Sequence, residues 1–437
     1  MFVLRWWQKQ ILWKRVLLGL LAGLVVGLAM HFGLPTTRAD QLASTWAKPW
    51  GDGFVRLIQM MIVPLITTSL VAGITAMGHP KKLGSLGLRT LAMYMVTTFF
   101  AVWLGLLTGS ILRPGQGVNY QVASEKDQAE LKQKLKLGEE AGTAVERILK
   151  IIPTNPVDSM AKGDVLPIIF FALLLGMAIL LTGEAGLPLK NLFDSAAEVV
   201  MRMTLIVMEL APLGVFALMT WVMASKGLSV LTNLLWLAIS LYAACLIQIA
   251  LVYGLVIIKL LARLPVLPFF RGTVDALSLA YSSSSSNATL PVTISCAEKN
   301  LGIEKSVAGS VLPLGATINM DGTSIYLGLI ALFAAQAVGI ELTWGQYVNV
   351  AITATLVSVG VAGIPSASLL LAATVLSIVG ISQEQALLII AFILPFDRLL
   401  DMMRTLTNVT GDLACACALA KWEGAMDESV YRSRVDV

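Results

Sequence analysis

Apolar runs long enough to cross a bilayer, about 20 residues each, recur along the chain at 16–34, 53–77, 88–112, 164–182, 196–223 and 229–262. They predict six ordinary transmembrane helices. From residue 267 onward the pattern changes. The apolar stretches 267–298, 302–340, 346–381 and 384–421 are each interrupted near the middle by small polar residues or by Gly and Pro. Backbone that leaves the helix at membrane depth is tolerated only where it lines a cavity or a site, so the four interruptions are expected to meet at one place. The polar insertion 113–163 alternates charge over SEKDQAELKQKLKLGEEAG and predicts a solvated, external surface.

The basic residues orient this set. Arg5, Lys9, Lys14 and Arg15 precede the first run, and Lys81, Lys82 and Arg89 follow the second. Lys259, Arg263 and Arg271, then Lys299 and Lys305, then Lys421, Arg432 and Arg434 fall on the same side. By the positive-inside rule that side is cytoplasmic, with both termini on it. The count closes only if 267–298 and 346–381 are re-entrant hairpins entering from opposite sides. Two such hairpins, each followed by an interrupted span, are the trace of an inverted repeat with its site at the bilayer midplane. The expected fold is therefore an all-α membrane protein built on inverted repeats. The stretch MFVLRWWQKQILWKR runs into an apolar segment too long and Gly-rich for a cleavable signal and is expected to lead into the first span.

Composition supports the pattern. Of 437 residues, 57% are hydrophobic and 13% charged, about half the charge fraction of a soluble domain, and mean hydropathy is +0.80. The net charge of +4 is spread over short loops and forms no patch for a nucleic acid. Cys245, Cys296, Cys415 and Cys417 all lie in apolar segments and read as packing residues. The two histidines, His31 and His79, provide neither a metal site nor a catalytic triad.

The chemistry concentrates in the C-terminal half. In PFDRLLDMMRTLTNVTGD, the residues Asp397, Asp401, Arg404, Thr405, Asn408 and Asp412 fall within an arc of roughly 100° on a helix. Each charge near a bilayer centre costs about 2.5–3.5 kcal/mol, so such residues face a protein interior and mark a pathway. Three carboxylates against one guanidinium leave room for bound cations. In GATINMDGTS, Gly315, Thr317, Asn319, Asp321 and Thr323 include poor helix formers. Their helix should unwind and free carbonyls beside a carboxylate, an oxygen-rich environment suited to a hard cation such as Na⁺. Ser282–Ser286 with NATLP, and Gly360–Ser368 in GVAGIPSAS, put small residues at two hairpin tips. There the N-termini of half-helices offer unpaired N–H groups to an anion. Tyr94, Thr97 and Thr98 form a polar cluster at i, i+3, i+4 that alone reads as helix packing. A serine hydrolase is disfavoured, since the serine cluster has no His nearby and no paired Lys. A passive channel would need an open pore rather than a site closed by two hairpins.

SSSSSNATLP, NMDGT, AGIPSAS and DMMRTLTNVTGD, in this order, resemble the dicarboxylate/amino acid:cation symporter family, the glutamate transporters and their prokaryotic homologues. The resemblance spans nearly the whole chain. It implies eight transmembrane helices plus two re-entrant hairpins, a homotrimer in the inner membrane, and an elevator mechanism. Residues 1–87 and 164–228 would form the trimerisation scaffold and 88–112 and 229–421 the transport domain. The segment 113–163 would be an external loop and 422–437 a cytoplasmic tail.

By the same resemblance, Arg404 would pair with the side-chain carboxylate of a small acidic amino acid, and Asp401 would hold its α-ammonium. Asn408 with the Ser286 backbone would hold its α-carboxylate. Thr323, Thr405 and the backbone at Ser284, Ile364 and Ser368 would complete the pocket. Several Na⁺ ions are implied: one at Asp412 with Asn408 and carbonyls near Gly315 and Asn319; one at Asp321 with Asn319, Tyr94, Thr97 and Thr98; one at Thr317 and the second-hairpin backbone. Departures from the family pattern sharpen this. Animal members carry a Glu four residues after the Thr of NMDGT where this chain has Leu327, which argues against proton or potassium countertransport by that route. Archaeal members have an Arg where Ser284 stands, so only a backbone role transfers. C4-dicarboxylate members lack an acid at the position of Asp401, which favours an amino acid here; the alternative is a C4-dicarboxylate or a proton-coupled acidic amino acid symporter.

Overall fold

The computed structural model describes residues 12–75, 85–117, 152–361 and 367–433. These form α1 (Leu12–Gly33), α2 (Thr36–Leu42), α3 (Lys48–Met60), α4 (Ile62–Thr75), α5 (Ser85–Leu112), α6 (Pro156–Lys162), α7 (Val165–Thr182), α8 (Leu187–Met208) and α9 (Ala211–Lys226). Then follow α10 (Ser229–Ile247), α11 (Val266–Ser283), α12 (Ser286–Lys299), α13 (Lys305–Ile318), α14 (Asp321–Val338), α15 (Trp344–Val359), α16 (Ala367–Ile378), α17 (Gln383–Glu423) and α18 (Glu428–Arg432). Six helical segments among the described residues are long and apolar enough to span a membrane. The only β pairing among them is the single bridge Ile303–Met426.

Three expectations change. The run 196–223 is not one helix: α8 ends at Met208 and α9 begins at Ala211, because Pro212 fits the first turn of a new helix and would break the interior of an old one. The stretch 384–421 is not interrupted. α17 runs for 41 residues through Pro395, about 60 Å at 1.5 Å per residue, held at its start by a capping box of Ser382 and Gln385. Its polar stripe meets groups of α14 and the α13–α14 break side-on, through Tyr326, Asn319 and the Gly322 N–H, while its own backbone stays helical. The run 53–77 is divided at Met61 between α3 and α4.

The other breaks occur where expected. Between α11 and α12, Ser284 sits in the left-handed region at φ 55°, and the Ser285 side chain accepts from Ala288 N–H to start α12. Between α13 and α14, Asn319 and Met320 leave the helix, which puts Asp321 in the first turn of α14, where the helix dipole favours a negative charge. In the second interrupted pair, α15 ends before Gly360 and α16 starts at Ala367; Ile364 and residues 362–366 lie outside the described residues, as do Arg5, Lys9, Lys81 and Lys82.

Packing explains which helices lie together. α9 runs along α1, where Gly19, Gly23 and Gly27 present one bare stripe. A Cβ on them would meet Pro212 O at 2.3 Å, Phe216 O at 2.6 Å and Met223 Cβ at 2.5 Å, a small-xxx-small contact of the kind that joins membrane helices. α14 packs on α5, α7 on α4, and α17 touches α10's continuation, α11, α13, α14 and α16. α10 continues unbroken into π-helical turns over Gln248–Leu261. After α17 the chain folds back under α11 and α12: Asp427 N–H donates to Gly302 O and Glu304 N–H to Ala425 O. Tyr431 donates to Pro265 O at 2.8 Å, Lys421 pairs with Glu428, and Arg271 donates to the Ser433 carbonyl. The four cysteines are buried free thiols.

Candidate functional site

The breaks at Ser284 and at Asn319–Met320 leave backbone ends in the interior, and polar side chains of α17 reach them. Asp321, Asp397, Arg404 and Asp412 are at most 2% exposed, and Asp401 5%. The side chains form two groups.

The first surrounds Asp321. Its Oδ1 accepts from Thr98 Oγ1 at 2.6 Å; its Oδ2 accepts from the Tyr253 hydroxyl at 2.6 Å and Gln248 Nε2 at 3.0 Å. Thr97 Oγ1 donates to Asn319 Oδ1 at 3.3 Å, and Asn319 Nδ2 donates to Asp412 Oδ1 at 2.9 Å. The Tyr94 hydroxyl donates to Val311 O at 3.1 Å. Gly315 is bare because a Cβ there would fall 2.5 Å from Asp412 Oδ1 and 2.7 Å from the Tyr94 hydroxyl. Five helical elements thus bring hydroxyl, amide and carboxylate oxygens together. Thr317 stands apart: its hydroxyl donates to Leu314 O at 3.0 Å and lies toward Gly73 of α4, where a Cβ would be 3.3 Å away.

The second group surrounds Arg404. Its Nη2 lies 2.9 Å from both Asp397 Oδ1 and Asp401 Oδ1, and its guanidinium carbon sits 3.9 Å above the centre of the Tyr326 ring. The Tyr326 hydroxyl donates to Asp397 Oδ1 at 3.0 Å. The Nε and Nη1 of Arg404 are buried with no hydrogen-bond partner, as is Asp397 Oδ2. Leaving buried charged-group donors unsatisfied is costly, so this arginine is half committed and half available. Arg398, one position past Asp397, donates from Nη2 to Ser283 O at 3.0 Å at the first helix break, with its Nε and Nη1 also unpartnered.

Asn408 links the groups. Its Oδ1 accepts the Gly322 N–H at 2.7 Å at the start of α14, and its Nδ2 contacts Met320 Sδ at 3.2 Å. Gly322 must be bare, since a Cβ would lie 2.3 Å from Arg404 O. Ser284, Ser286, Thr323, Ser368 and Thr405 are all buried, and Ser284 Oγ at the turn has no partner. Sequence reasoning missed Gln248, Tyr253, Tyr326 and Arg398, and took Asp397 as part of the stripe without assigning it to the site. Four Asp (321, 397, 401, 412) against two Arg (398, 404) leave two negative charges for bound cations to offset when all six are ionised.

Long apolar helices around a buried charged centre mark an integral membrane protein. The chain belongs to the sodium:dicarboxylate symporter family, whose model matches residues 12–422. It is 35% identical over 416 residues to a proton/sodium-glutamate symport protein of Geobacillus stearothermophilus, covering 95% of each chain. It is 34% identical over 411 residues to the protein of that name in Bacillus subtilis, covering 94% of this chain and 92% of the relative. It is 33% identical over 426 residues to C4-dicarboxylate transport protein 2 of Bradyrhizobium sp., covering 98% and 92%. It is thus a transporter, a symporter by family, and not an enzyme.

Proposed function

We propose that this protein imports an acidic amino acid, aspartate or glutamate, with several Na⁺ ions. The observation that carries the reading is the fully buried Arg404, held on one side by Asp397 and Asp401 and stacked on Tyr326, with Nε and Nη1 unpaired. A guanidinium in this state suits bidentate capture of a carboxylate. Asp401 then turns from Arg404 to the solute's α-ammonium. Asn408 and the Ser286 backbone receive the α-carboxylate, with Thr323, Thr405 and the backbone at Ser284, Ile364 and Ser368 closing the pocket. Na⁺ is bound by Asp412 with Asn408 and carbonyls near Gly315 and Asn319, and by Asp321 with Asn319, Tyr94, Thr97 and Thr98. A third ion sits by Thr317 and the second hairpin.

In the same reading α11–α12 and α15–α16 are re-entrant hairpins beside eight membrane spans in the inner membrane, with both termini cytoplasmic. Residues 88–112 and 229–421 move as an elevator against a homotrimeric scaffold of 1–87 and 164–228. The packing of α9 on α1 and of α14 on α5 supports that division. A C4-dicarboxylate carrier is the second reading, favoured by the Bradyrhizobium relative and opposed by Asp401, which such a solute would leave without an ammonium partner. A proton-coupled carrier is the third, and the buried Leu327 argues against countertransport at that position.

The test is uptake of radiolabelled aspartate, glutamate, succinate and serine into proteoliposomes, with and without a sodium gradient. Sodium-driven aspartate or glutamate uptake supports the reading. Sodium-independent succinate uptake with no aspartate uptake overturns it.

A further inference from the structure

The least expected feature of the interior is α10's continuation, where π-helical turns run over Gln248–Leu261. In a π-helix residue i+5 lies over residue i. Gln248 and Tyr253, five apart, therefore share one face, whereas an α-helix would turn them well away from each other. That face meets Asp321. Both side chains are wholly buried, and both donate to the same carboxylate oxygen, Oδ2, at 3.0 Å and 2.6 Å. Gly411 of α17 makes room: a Cβ there would lie 2.7 Å from the Tyr253 hydroxyl and 2.7 Å from Asn319 Nδ2. Gln248 holds this orientation at a cost, because its Oε1 is buried with no partner. The other carboxylate oxygen, Oδ1, faces Thr98, next to the Thr97–Asn319–Asp412 chain.

We infer that Gln248 and Tyr253 are positioning residues for cation coupling: by holding Oδ2 they fix the Asp321 carboxylate so that Oδ1, with the Thr97, Thr98 and Asn319 oxygens, is the atom presented to Na⁺. This rests on the assignment of Asp321 to a sodium site. The two donors are neutral, so they orient the carboxylate without cancelling the charge that draws the cation. A preorganised ligand loses less freedom when the ion arrives, which appears as higher ion affinity.

The experiment is sodium titration of aspartate uptake by Tyr253→Phe, Gln248→Leu and Asp321→Asn proteoliposomes, with substrate KM measured at saturating sodium and folding checked by size-exclusion elution. Tyr253→Phe keeps the ring and removes only the hydroxyl. Loss of one hydrogen bond to a charged group corresponds to a rise of about tenfold or more in the half-saturating sodium concentration, with aspartate KM at saturating sodium unchanged. Gln248→Leu is expected to shift the same quantity in the same direction. If Asp321→Asn abolishes sodium dependence while both other variants keep the wild-type half-saturation, the positioning role is overturned and the sodium site stands. A change in aspartate KM at saturating sodium without a sodium shift also overturns it. If Asp321→Asn itself leaves sodium dependence intact, the underlying site assignment fails.

Discussion

In the most apolar 18 residues of Lys14–Gly33, 28% are buried, whereas in the most apolar 18 of Lys305–Val338 all are. The first helix spends its exposed face on groups such as Leu21, Val25 and Phe32, which suit lipid, and its bare face on a glycine stripe against α9. The second carries Asn319 and Asp321 at a break in its backbone and is buried throughout 318–335. Membrane solubility and buried chemistry thus sit in different parts of one chain. Apolar exposure is sufficient where only packing is needed, and complete enclosure is required where a polar backbone and carboxylates sit at depth.

The largest effect should come from the enclosed half. Arg404→Ala leaves Asp397 and Asp401 buried without their partner, a change worth about 3–5 kcal/mol. It is expected to abolish uptake of acidic solutes selectively, read as transport of aspartate against serine. Asp412→Asn removes the charge tied to Asn319 and should weaken sodium dependence by about ten- to a hundredfold, one to two steps of 1.4 kcal/mol, with smaller loss of folding. Retention of wild-type sodium dependence in that variant would detach Asp412 from coupling.

In the lipid-facing half the same size of change should reach only stability. Gly23→Leu forces a side chain onto Phe216 O and Met219 Cβ, 2.6 and 2.9 Å from a Cβ. An overpacking cost of about 1–3 kcal/mol lowers the detergent melting temperature while the sodium dependence of the folded fraction stays unchanged. A shift in sodium dependence would show the two halves to be more tightly joined than the packing implies.

The contrast between halves was partly legible in the residues. Asp321, Asp401, Arg404 and Asp412 stand out because a charge in an apolar run has no other economical explanation, and the Ser284 and Asn319 breaks follow from residues that favour turns. Gln248 and Tyr253 were invisible because their spacing shares a face only in π-helical turns, and nothing in local composition announces that widening. Arg398 was missed because its partner is a backbone carbonyl at Ser283, far away in sequence. The interruption expected within 384–421 was over-read: a long helix supported on several sides runs straight through Pro395. The break before Pro212 had a signal, a proline at a helix first turn, which the continuous apolar run concealed.

The smallest effect belongs to the C-terminal strap. Tyr431→Phe removes one hydrogen bond to Pro265 O, worth about 0.5–1.5 kcal/mol, and should raise protease sensitivity after Gly424 without altering the solute site. Ser429's hydroxyl and N–H hold the Asp427 carboxyl below its usual range, and Lys421 does the same for Glu428. Both contributions are fully present above the ordinary carboxylate pKa and are lost as pH falls through the lowered values. Strap cleavage should therefore increase only in acid below about pH 4.

The most direct measurement of the central claim, that solute and sodium share one buried centre, is calorimetric binding of aspartate to the purified protein across a sodium series. Reciprocal coupling requires aspartate affinity to rise steeply with sodium and sodium affinity to rise equally with aspartate, with succinate binding far more weakly. Aspartate affinity that is flat across the sodium series, or succinate bound as tightly as aspartate, would contradict it.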